Sequence, residues 1–146
     1  MKRARLLPAL AAVALALTGC VTNPALAVFD TGSQVQLRSY QTRAFDTTDR
    51  EKMLRTVIAT LQDFGFVIDK ADATLGSVSG TKLAAYEMRM TVTVRPRSDT
   101  QQLVRASAQF KAAVNADARP VEDPAPYRDF FAVLEKSMFL AAQQVD

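Results

Sequence analysis

Residues 86–95 read Tyr86-Glu87-Met88-Arg89-Met90-Thr91-Val92-Thr93-Val94-Arg95. In an extended chain successive side chains point to opposite faces. Met88, Met90, Val92 and Val94 therefore share one face, and Glu87, Arg89, Thr91, Thr93 and Arg95 share the other. A second alternating run follows over 102–114, with Val104, Ala106, Ala108, Phe110 and Ala112 on one side. The polar stretch Pro96–Gln101 separates the two runs. This pattern predicts an antiparallel hairpin with one buried face and one wet face.

On the N-terminal side of this hairpin, Met53, Leu54, Val57, Ile58, Leu61 and Phe64 recur at helical spacing. Thr48-Asp49-Arg50-Glu51 before them fits a capping box opened by Thr48. Gly65 suits the left-handed position after the last turn, and Phe66 can fold back onto that turn. Phe66–Ala71 and Ser77–Lys82 read as short strands around an Asp72–Gly76 turn. Gln34–Phe45 alternates loosely, with Val35, Leu37 and Phe45 at odd positions, and is expected to be a strand.

On the C-terminal side, Asn115–Glu122 reads as a loop. Asp123-Pro124 fits an N-cap and first helical residue. Tyr127, Phe130, Phe131, Leu134, Met138 and Ala141 then form a wide apolar stripe, with Val133 and Phe139 off it. The expected order is β-α-β-β-β-β-α. The fold class is α+β, a mostly antiparallel sheet with two helices packed on one face. Small inward residues Ala106, Ala108 and Ala112 are expected to let the second helix approach the sheet.

The N-terminus reads as a sorting signal. Met1-Lys2-Arg3-Ala4-Arg5 is basic, and Leu6–Leu17 is uncharged and too short to span about 30 Å of hydrocarbon. Leu17-Thr18-Gly19-Cys20 resembles the lipobox of bacterial lipoproteins. That resemblance implies signal peptidase II cleavage before Cys20, with a diacylglyceryl group on its thiol and an acyl chain such as palmitate on its amine. Val21 in place of Asp implies sorting to the outer membrane, facing the periplasm. The expected organisation is a signal peptide over 1–19, a lipidated tether over 20–33 and a single α+β domain over 34–146.

This division changes the charge reading. The chain has 18 Lys and Arg against 15 Asp and Glu, but Lys2, Arg3 and Arg5 belong to the signal. Fifteen basic residues then face fifteen acidic ones, so the basic excess that would suggest a nucleic-acid partner disappears. The chain has no His and no Trp, and its one Cys is Cys20. That composition excludes Cys/His zinc sites, His-ligated haem, and Ser-His-Asp or Cys-His catalysis, and leaves carboxylate chemistry or a Ser-Lys pair open in principle. No metal or cofactor is expected. Gly76–Lys82 is not a phosphate loop, since its glycine spacing is short and no helix follows. Asp69, Lys70 and Asp72 read as a solvated strand end.

The element order on a lipid anchor, with the run Leu61–Asp69 through Gly76 into Ser77–Lys82, is similar to the helix-grip domains of the C component of the outer-membrane β-barrel assembly machine. The resemblance implies a helix-grip-like fold and an envelope protein partner. That component has two such domains; this chain has room for one. The expected function is a non-enzymatic interaction module or accessory subunit of an envelope assembly or transport complex. Arg89, Arg95, Arg105 and Lys111, on the wet face of the hairpin with Arg97 at its turn, are the candidate partner-facing residues. The alternative is a carrier of a lipid or other apolar small molecule, with Tyr127, Phe130, Phe131, Met138 and Phe139 as possible pocket lining.

Overall fold

The computed structural model describes residues 34–113 and 115–143. The signal peptide, the tether with Cys20, and the expected strand end at Val114 lie outside the described residues. Within them, helix α1 spans 34–41 and runs directly into strand β1 (Thr42–Phe45). There follow α2 (Arg50–Asp63), β2 (Val67–Asp72), β3 (Ser77–Leu83), β4 (Glu87–Pro96), β5 (Gln102–Lys111), β6 (Arg119–Pro120) and α3 (Ala125–Gln143). The sheet has the order β1-β5-β4-β3-β2, with β6 also on β5, and its strand pairings are antiparallel.

The β4–β5 hairpin is the centre of this sheet, as its pattern predicts. Ten residue pairs run from Glu87↔Lys111 to Pro96↔Gln102. Met90, Val92, Val94, Val104, Ala106 and Ala108 are all buried on one face. Met53, Leu54, Val57 and Leu61 from α2 and Tyr127, Phe130, Phe131 and Leu134 from α3 complete a single core on that side. Ala106 and Ala108 are buried in this core, where the Tyr127 hydroxyl meets the Ala108 N–H, whereas Ala112 lies past the strand and is exposed.

Two ends of α2 show how local chemistry sets the frame. At the C-terminus, Gly65 takes φ +79°, its N–H donates to the Gln62 carbonyl, and the Phe66 N–H donates to Leu61. These are the two bonds of a Schellman cap, and Phe66 is buried against the core. At the N-terminus the expected capping box is displaced by one residue. Asp49, not Thr48, is the cap, and its carboxylate accepts the Lys52 N–H at 2.8 Å. Glu51 instead pairs with Arg55 one turn on.

The expected strand over 34–45 is corrected. Only Thr42–Phe45 pairs with β5, and 34–41 is helical. The apparent alternation is misleading because Leu37, Tyr40 and Gln41 also sit three and four residues apart, the spacing of a helical face. Leu37 and Tyr40 pack against the core and Gln41 is buried, whereas Val35 is exposed. The described chain thus has three helices rather than two, and the loop over 115–122 contributes the additional two-residue strand β6.

Gly76 closes the β2–β3 turn at φ +68°. Its carbonyl accepts the Val94 N–H at 2.7 Å, and a Cβ there would stand 2.5 Å from the Val94 carbonyl oxygen. Only glycine fits both the left-handed backbone and this approach. Arg50 reaches over the same turn to donate to the Thr74 carbonyl, tying it to the start of α2.

Candidate functional site

Two surfaces carry the residues available for recognition: the open face of the sheet and a cleft on its helix-covered side. Both follow from the period of two in β4 and β5.

The odd-numbered residues of β4 and β5 build the open face. It is a field of Ser, Thr, Gln and Arg: Thr91, Thr93, Ser107 and Gln109 lie among Arg89, Arg95 and Arg105. The four candidate residues separate into two classes. Arg89 donates to the Asp69 carboxylate at 3.2 Å, and Thr81 donates to the same oxygen at 2.7 Å. Asp69 reaches this face from the irregularity in the β2–β3 register between Ile68 and Lys70. Lys111 faces its cross-strand partner Glu87 at 3.8 Å. Arg95 and Arg105 have no carboxylate within ion-pair distance among the described residues. They flank a trough lined also by Thr91, Thr93, Leu103 and Ser107. Arg97, in the hairpin turn, is engaged through its backbone N–H with Gln101. Asp72, the other carboxylate at the β2 end, accepts the Leu75 N–H and caps the turn. The expected solvated strand end therefore has definite work in the fold.

Helix α1 forms the rim of this face. Gln34, Leu37 and Arg38 wall a depression whose floor includes Arg89, Arg105 and Gln109. The chain thus enters the described domain beside the open face.

The second surface was not legible as a unit in the sequence. The end of α2 (Phe64, Phe66), the inner face of β3 and β4 (Lys82, Met88, Met90) and the first turns of α3 (Pro126, Asp129, Phe130) enclose a cleft of about 260 Å³. Lys82 closes one wall by donating its ammonium to the Phe64 carbonyl at 2.8 Å. Tyr86, 46% exposed, stands at the mouth with its ring edge-on to Phe110, 6.5 Å away. Around Tyr86 and Met88 the cleft continues into a shallower apolar depression bounded by Phe110, Val121 and Pro126. Asp123 helps bound both and accepts the Ala125 N–H at 2.9 Å just before α3, which starts at Ala125, one residue later than the expected Pro124.

Of the aromatic group expected as pocket lining, Phe130 alone borders this cleft. Tyr127 and Phe131 are fully buried, Met138 is half-buried, and Phe139 is exposed. Tyr127 has a structural task that its place in an apolar stripe concealed. β1 covers the edge of β5 only up to Arg105, and β6 resumes at Gln109. The Tyr127 hydroxyl fills the gap: it accepts the Ala108 N–H at 3.2 Å and an N–H of Gln41 at 3.3 Å, and donates to the Val121 carbonyl at 2.7 Å. A buried strand edge left without such partners is costly.

Among the described residues no three His, Cys, Asp or Glu side chains come together, and no helix is long and apolar enough to cross a membrane. No protein-family model matches the chain, and no curated protein matches it in sequence.

Proposed function

We propose that this protein is a periplasm-facing lipoprotein, anchored to the outer membrane through acylated Cys20. Its domain acts as a non-enzymatic interaction module, an accessory subunit of an envelope assembly or transport complex. The observation that carries the module reading is the apolar cleft at Tyr86, which runs open along the end of the helix layer. An apolar groove open to solvent beside the core offers a place where apolar side chains of a partner can be buried. The cleft itself holds about 260 Å³, and its continuation past Tyr86 and Met88 is shallow and open, whereas small-molecule sites bury most of their ligand. Those dimensions favour one or two apolar side chains of a protein partner. The lipobox-like Leu17–Cys20 supports the anchor, and the long α3 laid over the sheet supports a helix-grip arrangement.

Photo-crosslinking in cells tests the module. A photoreactive residue in place of Tyr86 should give a discrete adduct with an envelope protein, and one in place of Ala59, on the exposed side of α2, should not. Absence of any adduct specific to Tyr86 defeats the reading. The anchor has its own test: Cys20→Ala should abolish lipid labelling and lipoprotein-type processing, and unchanged labelling would refute it.

The second reading, a carrier of an apolar small molecule, is favoured by the position of the cleft between sheet and helix and by its Met88, Met90 and Phe130 lining. It requires an apolar ligand to co-purify with the protein in native mass spectrometry. A Met90→Phe change, which fills the cleft, should expel that ligand.

A further inference from the structure

The open face of the sheet has features that the module reading does not use. Among the described residues only α1, at its rim, stands over it, although the other face carries α2 and α3. Two of its cations toward the hairpin-turn end, Arg95 and Arg105, lack carboxylate partners among the described residues, while Asp69 and Glu87 are each held by a neighbouring cation. Two large apolar side chains, Val67 and Leu83, stand on the same face at its β2–β3 corner, 73% and 77% exposed. Their side follows from the register, since Val67 pairs with Thr81 and Leu83 with Glu87. Finally, the chain enters the domain at Gln34, on the rim of this face beside Arg89 and Gln109.

We infer that this face rests on an anionic lipid surface, with Arg95 and Arg105 taking lipid phosphates in the trough between them. The inference rests on the proposed acylation of Cys20. Thirteen residues, 21–33, then separate the anchor from Gln34, a reach of at most about 45 Å at full extension. The rim where the tether joins is the part of the domain held nearest the membrane, and the open face adjoins it. Guanidinium groups bind phosphate through paired N–H donors. The hydroxyls of Thr91 and Thr93 beside the trough supply further donors, while Ser107 donates its own to the Thr91 carbonyl at 3.4 Å. Diagonal neighbours on adjacent antiparallel strands lie about 7–8 Å apart. The register Thr93↔Arg105 and Arg95↔Leu103 makes Arg95 and Arg105 such a pair. Val67 and Leu83 add apolar contact at the headgroup boundary, the combination by which basic surfaces lie on membranes without crossing them.

The acylated protein reconstituted in vesicles tests the inference. Cys20 is the only cysteine and its thiol is blocked by the lipid, so Gln109→Cys on the open face or Ala59→Cys on α2 provides a single site for a fluorophore. In vesicles of 70% phosphatidylcholine and 30% phosphatidylglycerol, acrylamide quenching of the label at 109 should fall at least threefold relative to pure phosphatidylcholine. Quenching at 59 should not change. Arg95→Glu with Arg105→Glu should remove the protection; Arg95→Lys with Arg105→Lys should keep most of it; 0.5 M salt should weaken it, as screening requires. Equal quenching at 109 in the two lipid compositions overturns the inference, as does protection that survives the double Glu change. Failure of the protein to float with pure phosphatidylcholine vesicles overturns the acylation itself, and with it this inference. Flotation without protection at 109 overturns the inference alone.

Discussion

The two faces of the β4–β5 hairpin are built from alternate residues of the same twenty, yet they answer to different constraints. The even-numbered face carries Met90, Val92, Val94, Val104, Ala106 and Ala108, all buried beneath α2 and α3. Each of these side chains has its size fixed by a neighbour above it. The odd-numbered face carries Arg, Thr, Ser and Gln in contact with water, and its side chains touch few partners beyond the Asp69–Arg89 and Glu87–Lys111 pairs. Stability is concentrated on the first face. The second can hold a pattern of charge that folding does not require, and such a pattern is where recognition can be placed.

That contrast is broken most directly from the covered side. Phe131 is 1% exposed, packs edge-to-face with Phe130 at 5.3 Å, and carries the Arg43 guanidinium 5.1 Å from its ring centre. Phe131→Ala should cost about 3–5 kcal/mol, a large part of the roughly 5–15 kcal/mol that holds a domain together. Urea unfolding followed by circular dichroism should show the midpoint falling with little change in slope. A midpoint unchanged within error would mean that α3 is not the structural cover described above.

Tyr127→Phe sharpens the comparison by leaving the shape of the covered face nearly intact while deleting one oxygen. The Ala108 N–H and the Val121 carbonyl would lose their partner inside the fold. Leaving buried polar groups unpaired costs about 1–3 kcal/mol each, so a loss of about 2 kcal/mol is expected after partial rearrangement. Hydrogen exchange at Ala108 should accelerate more than at Val92, because Ala108 lies where β5 is covered by neither β1 nor β6. Equal acceleration across both strands would show that the hydroxyl is not an edge cap.

Thr60 gives an effect of opposite sign. It is fully buried in α2, and its hydroxyl has no hydrogen-bond partner among the described residues. Thr60→Val keeps the shape and removes the unpaired oxygen, so stability should rise by about 1 kcal/mol. A loss of stability in thermal unfolding would reveal a partner for that hydroxyl.

These cases also show which parts of the molecule local sequence can express. The hairpin was readable because ten consecutive residues in each strand obey one period and one face of each is wet. The Gly65 stop was readable because a Schellman cap needs only a residue tolerant of positive φ and an apolar residue after it. Residues 34–41 are ambiguous in sequence because Leu37, Tyr40 and Gln41 satisfy helical spacing while Val35 and Leu37 mimic alternation, and eight residues are too few to separate the two. The cap at Asp49 shifted because Thr48 and Asp49 are both good caps, and the approach of the preceding loop decides between them. The cleft has no local signature at all. Phe64, Phe66, Met90 and Phe130 are each ordinary core candidates in their own elements, and only the meeting of three elements leaves a space between them. The split among the four cations was equally hidden, because Asp69 reaches Arg89 from a strand two positions away in the sheet.

The smallest effect on stability is expected from Arg95→Ala combined with Arg105→Ala, and it is the one that isolates the open face. Both side chains are exposed, neither has a carboxylate partner among the described residues, and neither supports the packing of α2 or α3. Surface changes of this kind shift stability by no more than about 0.5 kcal/mol, and removing two unpaired like charges on adjacent strands could even relieve mild repulsion. The urea midpoint should therefore stay within error of the parent protein. If the double change instead costs more than about 1 kcal/mol, the two arginines are structural and the face loses its claim to be a recognition surface. If the midpoint holds, the guanidinium pair is free of any folding duty, and its placement on either side of the hydroxyl-lined trough is left to be explained by what the face touches.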